Sequence, residues 1–393
     1  MKRATELSLT LRRLIRLAPL AALVVAVNAL GDPGGVVSSG GYEREVSDIL
    51  LSGRHAAGVS NYDDRLLQRF YAEGLKAAPN VLVLGSSRVM AVRARGFAPR
   101  SFYNASVSSA TLNDIVAVHE TFAARGGGPS LVVIGIDPWT FQANETMVGW
   151  QTLAAEYERA CRKDALPDCD KPPVLARPRR VFDALVSPRY FQAAVAALWR
   201  RAGETGRQAL IAVSVDTAVP QQVLRRADGS LRYPEDFGQD EAAVREGARA
   251  FGRDFQRGRI AYLPPAARPQ LRFVRILESF LKRRRAGGTE IWLMLAPYHP
   301  DAWPALSADG SMVVQAEDAV RKLGATTSVR VIGSFDPGRA SCPAVAEFDD
   351  PSHPRSSCID RILASGGRPK PSAVDTPGDR TGRPDKLQEC ALW

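Results

Sequence analysis

The 393-residue sequence is short of the signatures that mark metal and nucleotide chemistry. It holds four histidines and five cysteines but no Cys-x-x-Cys pair for a histidine to complete, so a zinc site is not indicated. The turn Gly85-Ser86-Ser87-Arg88 lacks the Gly-x-Gly-x-x-Gly spacing that cradles a pyrophosphate, which argues against a flavodoxin-like nucleotide binder. No internal repeat is present, which excludes solenoid and propeller arrays. The basic run Lys282-Arg283-Arg284-Arg285 has no interleaved aromatic residues. It reads as cations closing a helix, favourable to the dipole by about 0.3–1 kcal/mol, rather than as a nucleic-acid patch. With 45% apolar residues a real core is available, and global disorder is excluded.

The formal charge is +10, part of it local to the amino terminus. Lys2, Arg3, Arg12, Arg13 and Arg16, opposed only by Glu6, precede an apolar run from Leu17 to Gly31. This is a positive region followed by a hydrophobic one. Counted from Leu14, with Arg16 snorkelling, the run approaches the roughly 20 residues of a bilayer span. Residues 1–13 are then cytoplasmic, residues 14–31 form an inner-membrane anchor, and the rest is exported to the periplasm. A signal cleaved near Val27-Asn28-Ala29, giving a secreted or periplasmic chain, is one alternative. A buried core helix is the other. The cysteines agree with export: Cys161 with Cys169 and Cys342 with Cys358 bracket short loops, the pattern of local disulfides in an oxidising compartment. Cys390 is left over in the tail.

Residues 32–60 are assigned to a linker, 61–365 to one α/β domain, and 366–393 to a flexible tail rich in Gly, Pro and charge. Strands are expected at Val81–Leu84, Phe102–Tyr103 with Asn104, Leu131–Ile136, Ile291–Leu295 and Val329–Ile332. Several are continuously apolar, as in strands covered on both faces. Helical patterns at Thr111–Ala124, Gln270–Arg284 and Val314–Leu323 alternate with them, which predicts a parallel sheet. A long insertion, 142–265, interrupts the third and fourth strands. It contains Pro167, Pro172, Pro173 and Pro178, helical patterns near Phe182–Arg201 and Asp240–Arg257, and a turn at Arg226–Ser230. It is expected to cap the sheet.

Ligands of open α/β sheets gather outside the carboxyl ends of the strands. Beyond the last strand lies Phe348-Asp349-Asp350-Pro351-Ser352-His353-Pro354. Asp350 and His353 stand three apart in a proline-bounded loop. That spacing lets the carboxylate accept from the imidazole Nδ1–H while Nε2 faces outward. Ser87, at the end of the first strand, could pass its proton to that nitrogen, which is the nucleophile–base–orienter logic of acyl transfer. Ser87 is expected to open a helix whose N–H groups help hold an oxyanion. Plainer readings are a helix cap for Ser87 and a structural turn for the Asp350–His353 pair. His299 competes as base but is assigned, with Tyr298, to substrate contact; His55 and His119 are assigned structural roles. A cation in the first turn of a helix opposes the dipole, so Arg88 calls for an anionic substrate or Asp137 as partner, or else solvent. Trp139 and Phe141 suit stacking on a sugar ring or packing under a lid.

Taken in order, Gly85-Ser86-Ser87, Asn104–Thr111, Gly135-Ile136-Asp137 and Asp350-Pro351-Ser352-His353 resemble the four motif blocks of the SGNH (GDSL-like) hydrolase superfamily. The amino-terminal segment and long insertion look more like its membrane-anchored bacterial branch, which includes polysaccharide O-acetylation and teichoic-acid D-alanyl transfer proteins. The resemblance covers the strand ends within 75–140 and 285–365. It implies a flavodoxin-like sheet with helices on both faces, the insertion as a helical cap, and serine-based acyl transfer or ester hydrolysis on a cell-envelope or secreted polysaccharide. Ser87 would attack, His353 carry the proton, and Asp350 orient His353. The N–H groups of Ser87 and Ser109 would hold the oxyanion, with Asn104, Asp137, Arg88, Tyr298, His299 and Trp139 completing the site. Neither metal nor organic cofactor is implied. A membrane-bound acyl donor protein is the implied partner besides the polysaccharide, and nucleic acid is not.

Two departures stand out. Ser109 occupies a position where the family usually has Gly. Asp137 occupies one where the family usually has an Asn donor, and losing one such donor typically costs about 10²–10³ in rate. An ionised carboxylate would repel an oxyanion. Asp137 therefore suits a neutral, protonated state, a contact to a sugar hydroxyl, or a catalytically inactive polysaccharide-binding or scaffold protein.

Overall fold

The computed structural model describes residues 18–31, 40–60, 62–143, 147–171, 176–188, 190–192, 194–195, 198, 210–216, 219, 221–234 and 240–366. Among them nine strands form two sheets. In chain order they are β1 (His55–Ala57), β2 (Val81–Leu84), β3 (Phe102–Asn104), β4 (Leu131–Gly135), β5 (Ile211–Val213), β6 (Leu224–Arg225), β7 (Leu231–Arg232), β8 (Glu290–Leu295) and β9 (Arg330–Gly333). The larger sheet is parallel throughout, in the order β3-β2-β4-β8-β9. The smaller one is antiparallel, in the order β5-β1-β6-β7.

The unbroken apolar character of the central strands follows from covering both faces of the parallel sheet. Successive side chains of a strand point to opposite faces. Leu82, Leu84, Val132, Ile134, Leu293 and Leu295 enter one core, while Val81, Val83, Leu131, Val133, Trp292 and Met294 enter the other. Each such side chain contributes about 1.5–3 kcal/mol when fully buried. Helices Leu112–Ala123, Leu271–Ala286 and Met312–Thr327 cover the first face, with Ile115, Ile276 and Val320 among the buried residues. Helix Ser356–Ser365 covers the second through Ile359 and Ile362. Helix Leu112–Ala123 starts at a capping box: the Asp114 carboxylate accepts from the Thr111 N–H at 2.8 Å, and the Thr111 hydroxyl accepts from the Asp114 N–H at 3.3 Å. Helix Leu271–Ala286 ends in the basic run, where Lys282 pairs with Glu278 and Arg284 with Asp164.

The expected linker at 32–60 carries ordered elements instead. Helix Gly41–Leu51 buries Val46 and Leu50 and packs on helix Asp64–Gly74, and β1 buries Ala56 and Ala57. The buried face of that helix is half polar, with Glu43 and Ser47 beside Val46 and Leu50, so it leaves little apolar periodicity to read. The insertion also differs from a purely helical cap. It supplies β5, β6 and β7, strands of two or three residues that are too short to show alternation. Its helix Ala154–Asp164 packs on helix Leu112–Ala123, beside the sheet.

The turn at Arg226–Ser230 docks the insertion on the edge of the parallel sheet. The Asn104 N–H donates to the Asp228 carbonyl at 2.8 Å, and the Ala94 N–H to the Asp228 carboxylate at 3.0 Å. The approach is close enough that Gly229, at φ 77°, could not carry a Cβ: the atom would lie 2.4 Å from the Asn104 carbonyl oxygen.

Of the expected anchor, residues 18–31 are described and helical. Asn28 is buried there and donates to the carbonyls of Ala184 at 3.0 Å and Leu185 at 2.9 Å. Among the described residues no helix is long and apolar enough to cross a membrane. Residues 1–13, Pro172, Pro173, Arg201 and the tail from 367, with Cys390, lie outside the described residues. Both expected disulfides form, Cys161–Cys169 and Cys342–Cys358, a feature of extracytoplasmic domains.

Gly229→Ala is expected to force the hairpin tip off β3 and cost roughly 1–3 kcal/mol through strain alone. Thermal unfolding of the variant measures this, and an unchanged midpoint would show that the tip does not bear on the sheet edge.

Candidate active site

The ends of β2, β4 and β8 and the loop before helix Ser356–Ser365 converge on one place. Gly85 turns the chain at φ 140°, and a Cβ there would meet the Gly135 carbonyl oxygen at 2.9 Å. Glycine therefore lets β2 run close beside β4 before the turn. Ser86, not Ser87, is the capping residue: its hydroxyl accepts from the Arg88 N–H at 3.2 Å. The element that follows is a single 3-10 turn, Ser87–Val89, rather than the expected helix. A turn this short has no appreciable macrodipole, so any oxyanion there depends on individual N–H groups.

With capping done by Ser86, the Ser87 hydroxyl is available for other contacts. Its Oγ lies 2.8 Å from His353 Nε2, across 266 residues of chain. His353 Nδ1 lies 2.6 Å from Asp350 Oδ2. Asp350 Oδ1 accepts from the backbone N–H groups of Ser352 at 2.7 Å and His353 at 2.9 Å. The spacing of Asp350-Pro351-Ser352-His353 thus folds the loop back on its own aspartate, which leaves Oδ2 to receive the imidazole N–H. The compatible tautomer carries its proton on Nδ1 and presents Nε2 as acceptor to the serine O–H. Burial alone would raise the Asp350 carboxyl, but the His353 hydrogen bond and charge, with the two N–H donations, hold it down at about 2. The Cys342–Cys358 bridge closes a loop around both residues.

Arg88 is the structural centre of this region. Its side chain is 1% exposed. Nε donates to the Ser352 carbonyl at 3.0 Å, Nη1 to Asp137 at 2.8 Å, and Nη2 to the carbonyls of Pro297 at 3.1 Å and of Ala296. Its guanidinium lies over the Tyr298 ring, 3.9 Å from the centroid. The partner of Arg88 is Asp137, and both groups are buried.

Several of the expected contact residues have partners within the fold. Asp137 points at the guanidinium and lines neither cavity beside Ser87. Asn104 is fully buried and donates to the carbonyls of Val89 at 2.9 Å and Val92 at 3.0 Å, so it shapes the turn after Ser87. His299 is fully buried; its Nδ1 accepts from the Asp301 N–H at 3.0 Å, and burial lowers its pKa. Strand-end position is shared by residues that face the ligand and residues that build the loop, and only side-chain direction separates them. Tyr298 is buried beneath Arg88 at the floor of a cavity. Trp139 lines the same cavity, donates to the Ala110 carbonyl at 3.0 Å, and meets Tyr262 of the insertion edge-on. Ser109 also lines it. Ser109 has φ 52°, the left-handed conformation that glycine adopts freely and that costs other residues roughly 1–2 kcal/mol. The N–H groups of Ser87 and Ser109 donate to no acceptor among the described residues. His55 pairs with Asp216, and His119 is buried against Phe280 with its pKa lowered to about 3 by burial.

Two cavities meet at Ser87 and His353. One, of about 540 Å³, is lined by Trp139, Met147, Phe251, Tyr262 and Ser109. The other, of about 340 Å³, is lined by Arg226, Arg232, Tyr233, Asp349 and Arg355. Met147, Arg226, Arg232, Tyr233, Phe251 and Tyr262 all come from the insertion, whose sequence carries no motif that singles them out. No family model, curated protein or solved structure matches this chain.

Removing Arg88 alone strands a buried carboxylate, which typically costs about 3–5 kcal/mol. Arg88→Met should therefore lower the urea midpoint sharply, and Arg88→Met with Asp137→Leu should recover much of the loss. A double variant no more stable than the single one would refute this account. The Asp350 carboxyl is held below the ordinary range near 3.9. Its contribution to stability should be complete above about pH 4 and fade as the pH falls through about 2. The stability gap between wild type and Asp350→Asn, followed by urea unfolding from pH 6 to pH 2, should close over that window; a gap independent of pH would contradict it.

Proposed function

We propose that this chain is an exported serine-dependent acyltransferase or esterase that acts on ester groups of a cell-envelope or secreted polysaccharide, on an SGNH-like domain. The observation that carries the proposal is the chain of contacts from Ser87 Oγ to His353 Nε2 at 2.8 Å and from His353 Nδ1 to Asp350 at 2.6 Å. These are hydrogen-bond distances for a nucleophile, a base and its orienting carboxylate. The strand order supports the same family. Numbered within the parallel sheet alone, β3-β2-β4-β8-β9 becomes 2-1-3-4-5, the flavodoxin-like order, and the switch point falls between β2 and β4 where Ser87 stands. The amino-terminal apolar run and the two disulfides support export, with the chain held at the inner membrane or released after cleavage.

In the proposed reaction, Ser87 Oγ attacks the acyl carbonyl as its proton moves to His353 Nε2. The ester C–O bond breaks, and His353 returns that proton to the departing alkoxide. The acyl group rests on Ser87 until water or a sugar hydroxyl accepts it. Asp350 keeps the imidazole in its working tautomer and stabilises the imidazolium that forms. The N–H groups of Ser87 and Ser109 supply the oxyanion donors. Arg88 screens the Asp137 charge, so the carboxylate at the expected Asn position does not oppose the oxyanion unaided.

A non-enzymatic polysaccharide-binding or scaffold protein of an envelope assembly complex is the second reading, favoured by Asp137 at that same position. Serine-directed fluorophosphonate labelling separates the two. The folded wild type should label, and Ser87→Ala and His353→Ala should not. Asp350→Asn should slow labelling by about 10⁴, the effect of a wrong imidazole tautomer. A folded wild type that resists the probe would leave the scaffold reading standing.

A further inference from the structure

The two cavities that share Ser87 and His353 differ in how their charges are balanced. In the larger one both cations are already answered. Arg65 bonds Asp114 at 2.9 Å and Arg88 bonds Asp137 at 2.8 Å. What remains is an aromatic and thioether lining, suited to an acyl chain or the flat face of a sugar ring. The smaller cavity is lined by three arginines, Arg226, Arg232 and Arg355, and one carboxylate, Asp349, with Asp350 held behind the lining His353. Arg226 bonds Asp216 at 2.7 Å, but Asp216 is shared with Arg93 at 3.1 Å and with His55 at 3.1 Å. Arg355 bonds Asp349 at 2.8 Å. Arg232 donates to the Val219 carbonyl at 2.6 Å and pairs with no carboxylate among the described residues.

We propose that the Arg226–Arg232–Arg355 cavity is the acceptor subsite, and that it binds an oxyanion, carboxylate or phosphate, carried by the alcohol that receives the acyl group. The inference rests on the acyl-transfer reading and names its acceptor class. Guanidinium groups present several N–H donors in a fixed fork that matches carboxylate and phosphate geometry. An anion seated there would bring its neighbouring hydroxyl toward His353, which lines both this cavity and the acyl lobe. The hydroxyl proton then moves to His353 Nε2 as its oxygen bonds the acyl carbon. The Ser87 Oγ–acyl bond breaks, and Ser87 takes that proton back. Two lobes on one serine favour transfer over hydrolysis, because the acceptor is positioned before the acyl-serine meets water.

Ser87→Ala protein allows the subsite to be tested without turnover. It is titrated calorimetrically with methyl glucuronoside, glycerol 3-phosphate and methyl glucoside at two salt concentrations. At least one anion should bind about tenfold or more tightly than the neutral glucoside and weaken with salt. Arg232→Gln and Arg355→Gln, each in that background, should lose about tenfold of that affinity. Arg355 is 49% exposed, so its variant keeps the test sound if Arg232→Gln does not fold. Preference for the glucuronoside identifies a uronate-type acceptor, and preference for the phosphate a phosphate-bearing one. Equal binding of all three ligands, or affinities untouched by Arg355→Gln, overturns the proposal. Fluorophosphonate labelling of wild type reports separately: anion binding without labelling leaves the subsite and removes the enzyme, while labelling without anion preference does the reverse.

Discussion

One buried guanidinium holds together what the chain supplies in four separate pieces. Arg88 follows the proposed nucleophile, and its donors reach Asp137 beyond β4, the carbonyls of Ala296 and Pro297 beyond β8, and the Ser352 carbonyl beside His353. A buried charge must have its donors matched, so each of these segments is drawn to a fixed place around it. The planar fork of arginine can serve four acceptors at once, which a lysine ammonium with three donors cannot. The distance between Ser87 and His353 is thus set by a residue next to one of them and a carbonyl next to the other.

This arrangement gives the carboxylate of Asp137 a structural meaning. A buried carboxylate needs a cation, and Arg88 lies 2.8 Å from it. Ser109 takes a left-handed conformation that glycine adopts freely, at φ 52°. The Asp137 N–H is taken up by the Thr140 hydroxyl at 3.2 Å, while that of Ser109 donates to no acceptor among the described residues.

The parallel strands were legible because sheets covered on both faces need unbroken apolar runs, and Val81–Leu84 and Leu131–Gly135 have them. The Asp350-Pro351-Ser352-His353 loop was legible because its own spacing closes the contact. Helix Gly41–Leu51 was hidden by its half-polar buried face, and β6 and β7 by their length of two residues. Strand-end position alone does not show that Asn104 and His299 turn inward to satisfy loop backbone. The arginine-lined cavity was not legible at all, since Arg226, Arg232 and Arg355 meet only after the insertion docks on β3.

The separation of 266 positions between Ser87 and His353 has a consequence for biogenesis. The serine is made well before its histidine partner, and its turn is shaped once β2 and β4 pair. Contacts this distant along the chain close late, because their loop entropy must be met by everything folded between them. The two groups therefore meet only after the chain between them has folded and the loop that carries His353, closed by Cys342 and Cys358, has taken its place.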